Sequence, residues 1–180
     1  MPTPEPRHCV LVGLMGTGKS TVGSALAARL GRSFVDSDIE IQAATGRTVR
    51  ELRDDIGVDA MHALEAEQLL RALDSPEPAV IGAAASVVDV PACLEALRDP
   101  TVIVVWLQAD PVVLAERFES ADDHRPAYGD STEGFLAQQL ARRGAAFESV
   151  ADIAVRVDSR SPDEVVALVS RGAAHHLAAA

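Results

Sequence analysis

Gly13-Leu14-Met15-Gly16-Thr17-Gly18-Lys19-Ser20 matches G-x-x-x-x-G-K-[ST], the pattern of a loop whose backbone amides cradle nucleotide phosphates. Its flanks agree with that reading. Cys9-Val10-Leu11-Val12 is a short apolar run of the kind a buried parallel strand shows, and residues 20–30 carry Val22, Leu26 and Leu30 at helical spacing. The glycines therefore fall where a strand hands over to a helix, and there they let the backbone approach an anion closely. The helix N-terminus adds partial positive charge and Lys19 a full, mobile one. Ser20 is placed to offer its hydroxyl to magnesium. Candidate nucleotide contacts are thus Gly13, Met15, Gly16, Thr17, Gly18, Lys19, Ser20 and Thr21.

The 180 residues suit one domain, spanning 1–180, with enough chain to bury a core. Nearly half the residues are apolar (48%) but only six are aromatic, so Ala, Val and Leu must build that core. A net charge of −11 argues against nucleic acid as the main partner, and phosphates must be held by local positive groups against the overall field. Two cysteines, Cys9 and Cys93, give no disulfide framework and fit buried thiols in a reducing cytosol. No apolar run approaches membrane-spanning length. The start, with Pro2, Pro4 and Pro6, lacks the apolar core of a signal peptide, so a cytoplasmic protein is expected, monomeric or weakly dimeric.

Short apolar runs alternate with helical patterns, which predicts a three-layer αβα fold with a parallel sheet between helices. Strands are expected at 9–12, 33–35, 78–82, 101–107 and 153–157. Asp110-Pro111 reads as a cap with proline at the first helical position, and Ser161-Pro162-Asp163-Glu164 as a capping box. Between 119 and 132 the chain turns polar, as a flap does, and the tail 172–180 is expected to fray.

With these residues in hand the chain resembles the shikimate kinase family, a branch of the P-loop kinases akin to nucleoside-monophosphate kinases. The resemblance runs from Val10 to about Val169. It is carried by the loop 13–20, by Phe34-Val35-Asp36-Ser37-Asp38, Thr45-Gly46-Arg47, Glu65-Ala66-Glu67 and Arg125-Pro126, and by Arg143 with Phe147. The Asp-x-Asp that begins sixteen residues after Ser20, followed by Thr-Gly-Arg, is what narrows a common loop to this family. The resemblance implies a five-stranded parallel sheet, a helical substrate-binding region at about 36–75 and a lid at about 119–132. It also implies transfer of the γ-phosphoryl of ATP to a hydroxyl of shikimate or a related hydroxylated compound. Lys19 would then bridge the β- and γ-phosphates, Ser20 and Asp36 would hold Mg²⁺, and Asp38 would orient the acceptor hydroxyl or take its proton. Asp38 is also suited to cap a helix over 39–44. Arg125 matches a lid arginine over the phosphates; Arg117 matches one that stacks on adenine, and Arg160 fits the loop beneath the base.

The departures from the family pattern gather on the acceptor side. A Phe-Arg-x-x-Glu pattern, whose arginine binds the shikimate carboxylate, reads here Met61-His62-Ala63-Leu64-Glu65. His62 has at most two donors and is mostly neutral near pH 7, unless Glu65 three residues on raises its charged fraction. It is otherwise a surface residue of this helix. Where the family has three consecutive glycines after the third strand, this chain reads Gly82-Ala83-Ala84-Ala85-Ser86, so at least two have become alanine; each added methyl would occupy space where backbone approaches ligand, and any position needing positive φ would be strained. Arg53 stands where the family has phenylalanine, as a substitute cation or a solvated helix residue. Arg143 shares an apolar stripe with Leu136, Leu140 and Phe147, so it points inward and needs an anionic partner, from the protein or from a ligand. Substrate contacts are therefore expected from Asp38, Arg53, His62, Ala83, Ala84, Ala85 and Arg143. The rebuilt acceptor side leaves a second reading, a nucleotide-binding regulator or partner protein that no longer transfers phosphate.

Overall fold

A computed structural model describes residues 8–120 and 131–179, apart from the side chains of 119–120 and 174–179. Five parallel strands, β1 (His8–Val12), β2 (Ser33–Asp36), β3 (Ala79–Gly82), β4 (Val102–Gln108) and β5 (Ile153–Arg156), lie in the order β2-β3-β1-β4-β5. Each expected strand is present, its ends displaced by no more than one residue. Helices α1 (Lys19–Leu30) and α8 (Pro162–Ala179) pack together over one face of the sheet. The other face carries α4 (Val58–Leu73), α5 (Pro91–Leu97) and α7 (Thr132–Val150), joined through a short 3-10 turn at Ala85–Asp89. Because both faces are covered, the central strand β1 is buried along its whole length, as the unbroken apolar run required.

After β2 the chain leaves the sheet for α2 (Ser37–Thr45) and α3 (Val49–Ile56), which with α4 enclose a small core of Ile41, Leu52 and Met61 separate from the main one. Thr48 and Glu51 form a reciprocal capping box that starts α3. α2 corrects an expectation. Its cap is Asp36, whose carboxylate accepts from the Asp38 amide at 3.1 Å, and Asp38 lies inside the first turn rather than capping it. The reason is that β2 ends one residue later than its apolar run, which places Asp36 itself at the extended position a cap occupies.

Helix α6 (Pro111–Ser120) begins as read, with Asp110 accepting from the Val112 amide at 2.9 Å, and α8 begins with the Ser161–Glu164 box. The tail differs from expectation: α8 continues to Ala179. Alanine dominates the tail and favours helix intrinsically. Gly172 also fits against β5, where a Cβ would stand 2.9 Å from Ile153. Of the flap, residues 121–130 lie outside the described residues, and Arg125 and Pro126 with them. Cys9 and Cys93 are buried free thiols, and burial pushes the Cys9 thiol up to about 12.

One contact places β2 for the site. The ring of Phe34 lies against α1 and β3 at two glycines: a Cβ on Gly23 would stand 2.2 Å from the ring, and one on Gly82 3.3 Å. Gly23→Ala must therefore push Phe34 away. We expect it to destabilise the fold by about 1–3 kcal/mol, a fall in melting temperature of roughly 3–10 °C measured by calorimetry.

Candidate active site

The loop between β1 and α1 turns on three glycines with positive φ, Gly13 at 142°, Gly16 at 84° and Gly18 at 90°. Gly13 is also pressed against the neighbouring strand, where a Cβ would stand 2.5 Å from the Leu107 carbonyl oxygen. Thr17 is buried and braces the loop from within, its hydroxyl donating to the Leu14 carbonyl at 2.8 Å. Beyond Gly18, α1 starts without a side-chain cap and without an acid in its first turn. The amides of Lys19, Ser20 and Thr21 are first-turn groups with no intrahelical acceptor, so the helix end offers N–H groups and a positive dipole to an anion.

Lys19 reaches back over the loop and donates to the carbonyls of Gly13 at 2.9 Å and Leu14 at 3.0 Å. Burial draws its ammonium down to about 8, opposed by the nearby charges of Asp38, Asp36 and Glu65. Across the loop mouth the Ser20 hydroxyl donates to Asp36 at 2.6 Å. Strand β2 brings that carboxylate to the start of α1, and α2 then carries exposed Asp38 beside it. Two hard oxygens, from a hydroxyl and a carboxylate, thus meet beside an ammonium and an uncapped helix end. That donor set suits magnesium, which takes one or two protein oxygens and fills its octahedron with phosphates and water.

Arg117 reaches the loop from α6, and Arg160 lies between β5 and α8. Arg117 ties three segments together, donating to the carbonyls of Val157 at 2.7 Å, Asp158 at 3.4 Å and Gly16 at 3.4 Å. Its guanidinium thereby braces the loop against the segment that follows β5. Arg160 is exposed and donates to the Arg156 carbonyl. Met15 is half-buried on the loop itself.

On the acceptor side the structure supplies partners that spacing does not reveal. Glu65 is buried on α4 and accepts from Ser86, the residue after the three alanines. Burial raises its carboxyl above the usual range; the Ser86 hydroxyl and Arg143 and Arg53 oppose that, while Asp38 adds to it. The charged form of His62 is disfavoured, first by burial and then by Arg143, against Asp89 and Asp59, which agrees with a mostly neutral side chain; Glu65, the neighbour that spacing offers as a helper, accepts from Ser86 instead. His62 lines a cleft of about 810 Å³ along α4, together with Asp59, Ala66 and Val90.

Ala83 is buried, and Ala84 and Ala85 are half-buried. No residue other than glycine among those described has positive φ, and Ala84 sits at φ −63°, so the alanines carry no left-handed strain. Arg53 is half-buried on α3 and its field reaches Glu65. Arg143 points inward from α7 as its stripe predicts, and its anion is a protein carboxylate. Nε and Nη2 donate to Asp89 at 3.0 and 2.6 Å, and Nη1 to Gln139. Asp89 escaped the sequence reading, although an acid inside Val87-Val88-Asp89-Val90 is itself a sign of a buried partner.

Comparison with known proteins places this geometry. The family model "Shikimate kinase" matches residues 15–172. A shikimate kinase of Symbiobacterium thermophilum is 38% identical over 162 residues, covering 89% of this chain and 92% of that protein. One of Corynebacterium efficiens is 35% identical over 170 residues, covering 93% and 95%. Among solved structures, shikimate kinase from Acinetobacter baumannii in complex with shikimate superposes with a TM-score of 0.85 at 25% identity, covering 94% of this chain and 93% of that one. A gluconokinase of Sinorhizobium meliloti, at 23% identity and a TM-score of 0.57, shares the fold alone. By its loop, its paired acids and these relatives, the chain belongs to the shikimate kinase family.

Proposed function

We propose that this protein transfers the γ-phosphoryl of ATP to a hydroxyl of shikimate or a related hydroxylated compound, acting in the cytoplasm as a monomer or weak dimer on small molecules. The observation that carries the reading is the corner where Lys19, the Ser20–Asp36 pair and Asp38 meet at the uncapped start of α1. Phosphoryl transfer asks mainly for alignment and charge neutralisation, and this corner supplies both. Loop amides and Lys19 hold the phosphate tail, the ammonium exchanging two carbonyl acceptors for phosphate oxygens. Ser20 and Asp36 would hold Mg²⁺, which supplies positive charge to the transferring group when bound. Asp38 orients the acceptor hydroxyl or accepts its proton as oxygen bonds to phosphorus and the bond to the ADP oxygen breaks. The helical region 36–75 and the turn 83–85 face the acceptor in this reading, with Arg53, His62 and Arg143 as its polar boundary. Arg117 and Arg160 border the base.

The alternative, a regulator that binds nucleotide without transfer, drew its support from the three alanines. Their backbone angles are ordinary, so strain gives that reading no support; retained Lys19, Ser20, Asp36 and Asp38 argue against it.

Lys19→Ala is expected to lower kcat by at least about a hundredfold, and Asp38→Asn by about 10²–10⁴, in an assay of acceptor-dependent ADP release. An unchanged kcat in both would contradict the assigned roles. His62→Arg restores a fixed cation beside the acceptor, and we expect the KM for shikimate to fall by about tenfold with the KM for ATP unchanged.

A further inference from the structure

The proposed reaction leaves one charge pair unexplained, a buried arginine on a half-buried acid. Arg143, 6% exposed, spends Nε and Nη2 on Oδ2 of Asp89, and Arg142 approaches the same oxygen at 3.2 Å. Asp89 closes the 3-10 turn that follows Ala83 and Ala84 and is flanked by buried Val87 and Val88. An acid in so apolar a turn serves no local cap; it meets the guanidinium brought by α7 from 54 residues away. The pair also belongs to the same row of charges as the reacting corner. Glu65 senses both Asp38 and Arg143, and Lys19 senses Asp38 and Glu65.

A buried guanidinium at this end of the row is the natural seat for an anionic group on the acceptor. Here that seat is filled from within. An internal carboxylate loses no translational freedom when it binds, so a diffusing carboxylate competes with it at a disadvantage. A second anion brought beside Asp89 is repelled by it as well. His62 offers no substitute, since burial and Arg143 both disfavour its charged form.

We propose that Asp89 is a specificity-determining residue: it occupies the anion seat of Arg143, so the acceptor is recognised through its hydroxyls and a carboxylate on it adds little. This rests on the function proposed above, with the acceptor bound between α4, the turn 83–85 and α7.

The test is calorimetric titration of the full chain, loaded with ADP and Mg²⁺, with shikimate and with its uncharged methyl ester. The wild type is expected to bind the two within about threefold of each other. Asp89→Asn keeps size and a hydrogen-bond acceptor while removing the charge. It should prefer shikimate to the ester by about tenfold or more, with the ester's own affinity changed less than about threefold. A merely structural role for Asp89 would move both ligands together. Asp89→Ser repeats the comparison should the amide variant fail to fold. The proposal is overturned if the uncharged variants gain no preference for shikimate, or if the wild type already prefers it by about a hundredfold. The proposed reaction fails separately, if the wild type releases no ADP with any hydroxylated acceptor.

Discussion

The structure depends on an open helix end. At the junction of β1 and α1 the backbone makes three positive-φ turns at glycine and enters the helix with neither a capping side chain nor an acid in the first turn. Helices α2, α3 and α7 are capped by side chains, whereas α1, like α4 and α5, is not; α1 alone of these three open ends follows a glycine loop that carries a lysine. The positive potential left there is local. In a chain of net charge −11, a loop of amides with Lys19 beside it is the local positive feature suited to a polyanion. The parallel sheet order then does the rest. With β3 and β1 adjacent and β2 beyond β3, the C-terminal ends of three strands deliver the loop, Asp36 and the turn of alanines to the same edge.

The acceptor side follows a different physical rule. Glu65, Ser86 and Arg143 are buried there, so each must find a partner. Glu65 takes Ser86, and Arg143 takes Asp89 and Gln139. These pairings offset the buried charge of Arg143 within the protein itself. Substituting alanine for glycine in the turn became tolerable because Ala84 lies in ordinary extended backbone, and the buried Ala83 amide still donates to Leu11 at 3.0 Å. A rebuilt acceptor wall can thus coexist with an intact phosphate corner, because different strand ends build them.

What could be read from the sequence was what neighbours in sequence decide. Glycine spacing, the apolar runs and the caps at Asp110 and Ser161 are local signals, and the strands and helix starts follow from them. The inward face of Arg143 was legible from its stripe with Leu136 and Phe147, both fully buried. Its partner was not, because Asp89 lies 54 residues away and only the fold joins them. The same holds for Glu65 and Ser86, 21 residues apart, a bond that takes up the carboxylate that spacing offers to His62. The cap of α2 was misplaced for a local reason: two acids two residues apart both suit the role, and the strand end decides between them. The tail was misread because alanine carries no periodicity, although its helix propensity is high.

A crystal structure of the protein with ADP and Mg²⁺ tests the central claim most directly. The account predicts the β-phosphate against the amides of residues 16–20, with the Lys19 ammonium moved from the Gly13 and Leu14 carbonyls onto a phosphate oxygen. It also predicts that the direct Ser20–Asp36 hydrogen bond is replaced by contacts to the ion. Nucleotide bound elsewhere, with Lys19 still on those carbonyls and the Ser20–Asp36 bond unbroken, would contradict it.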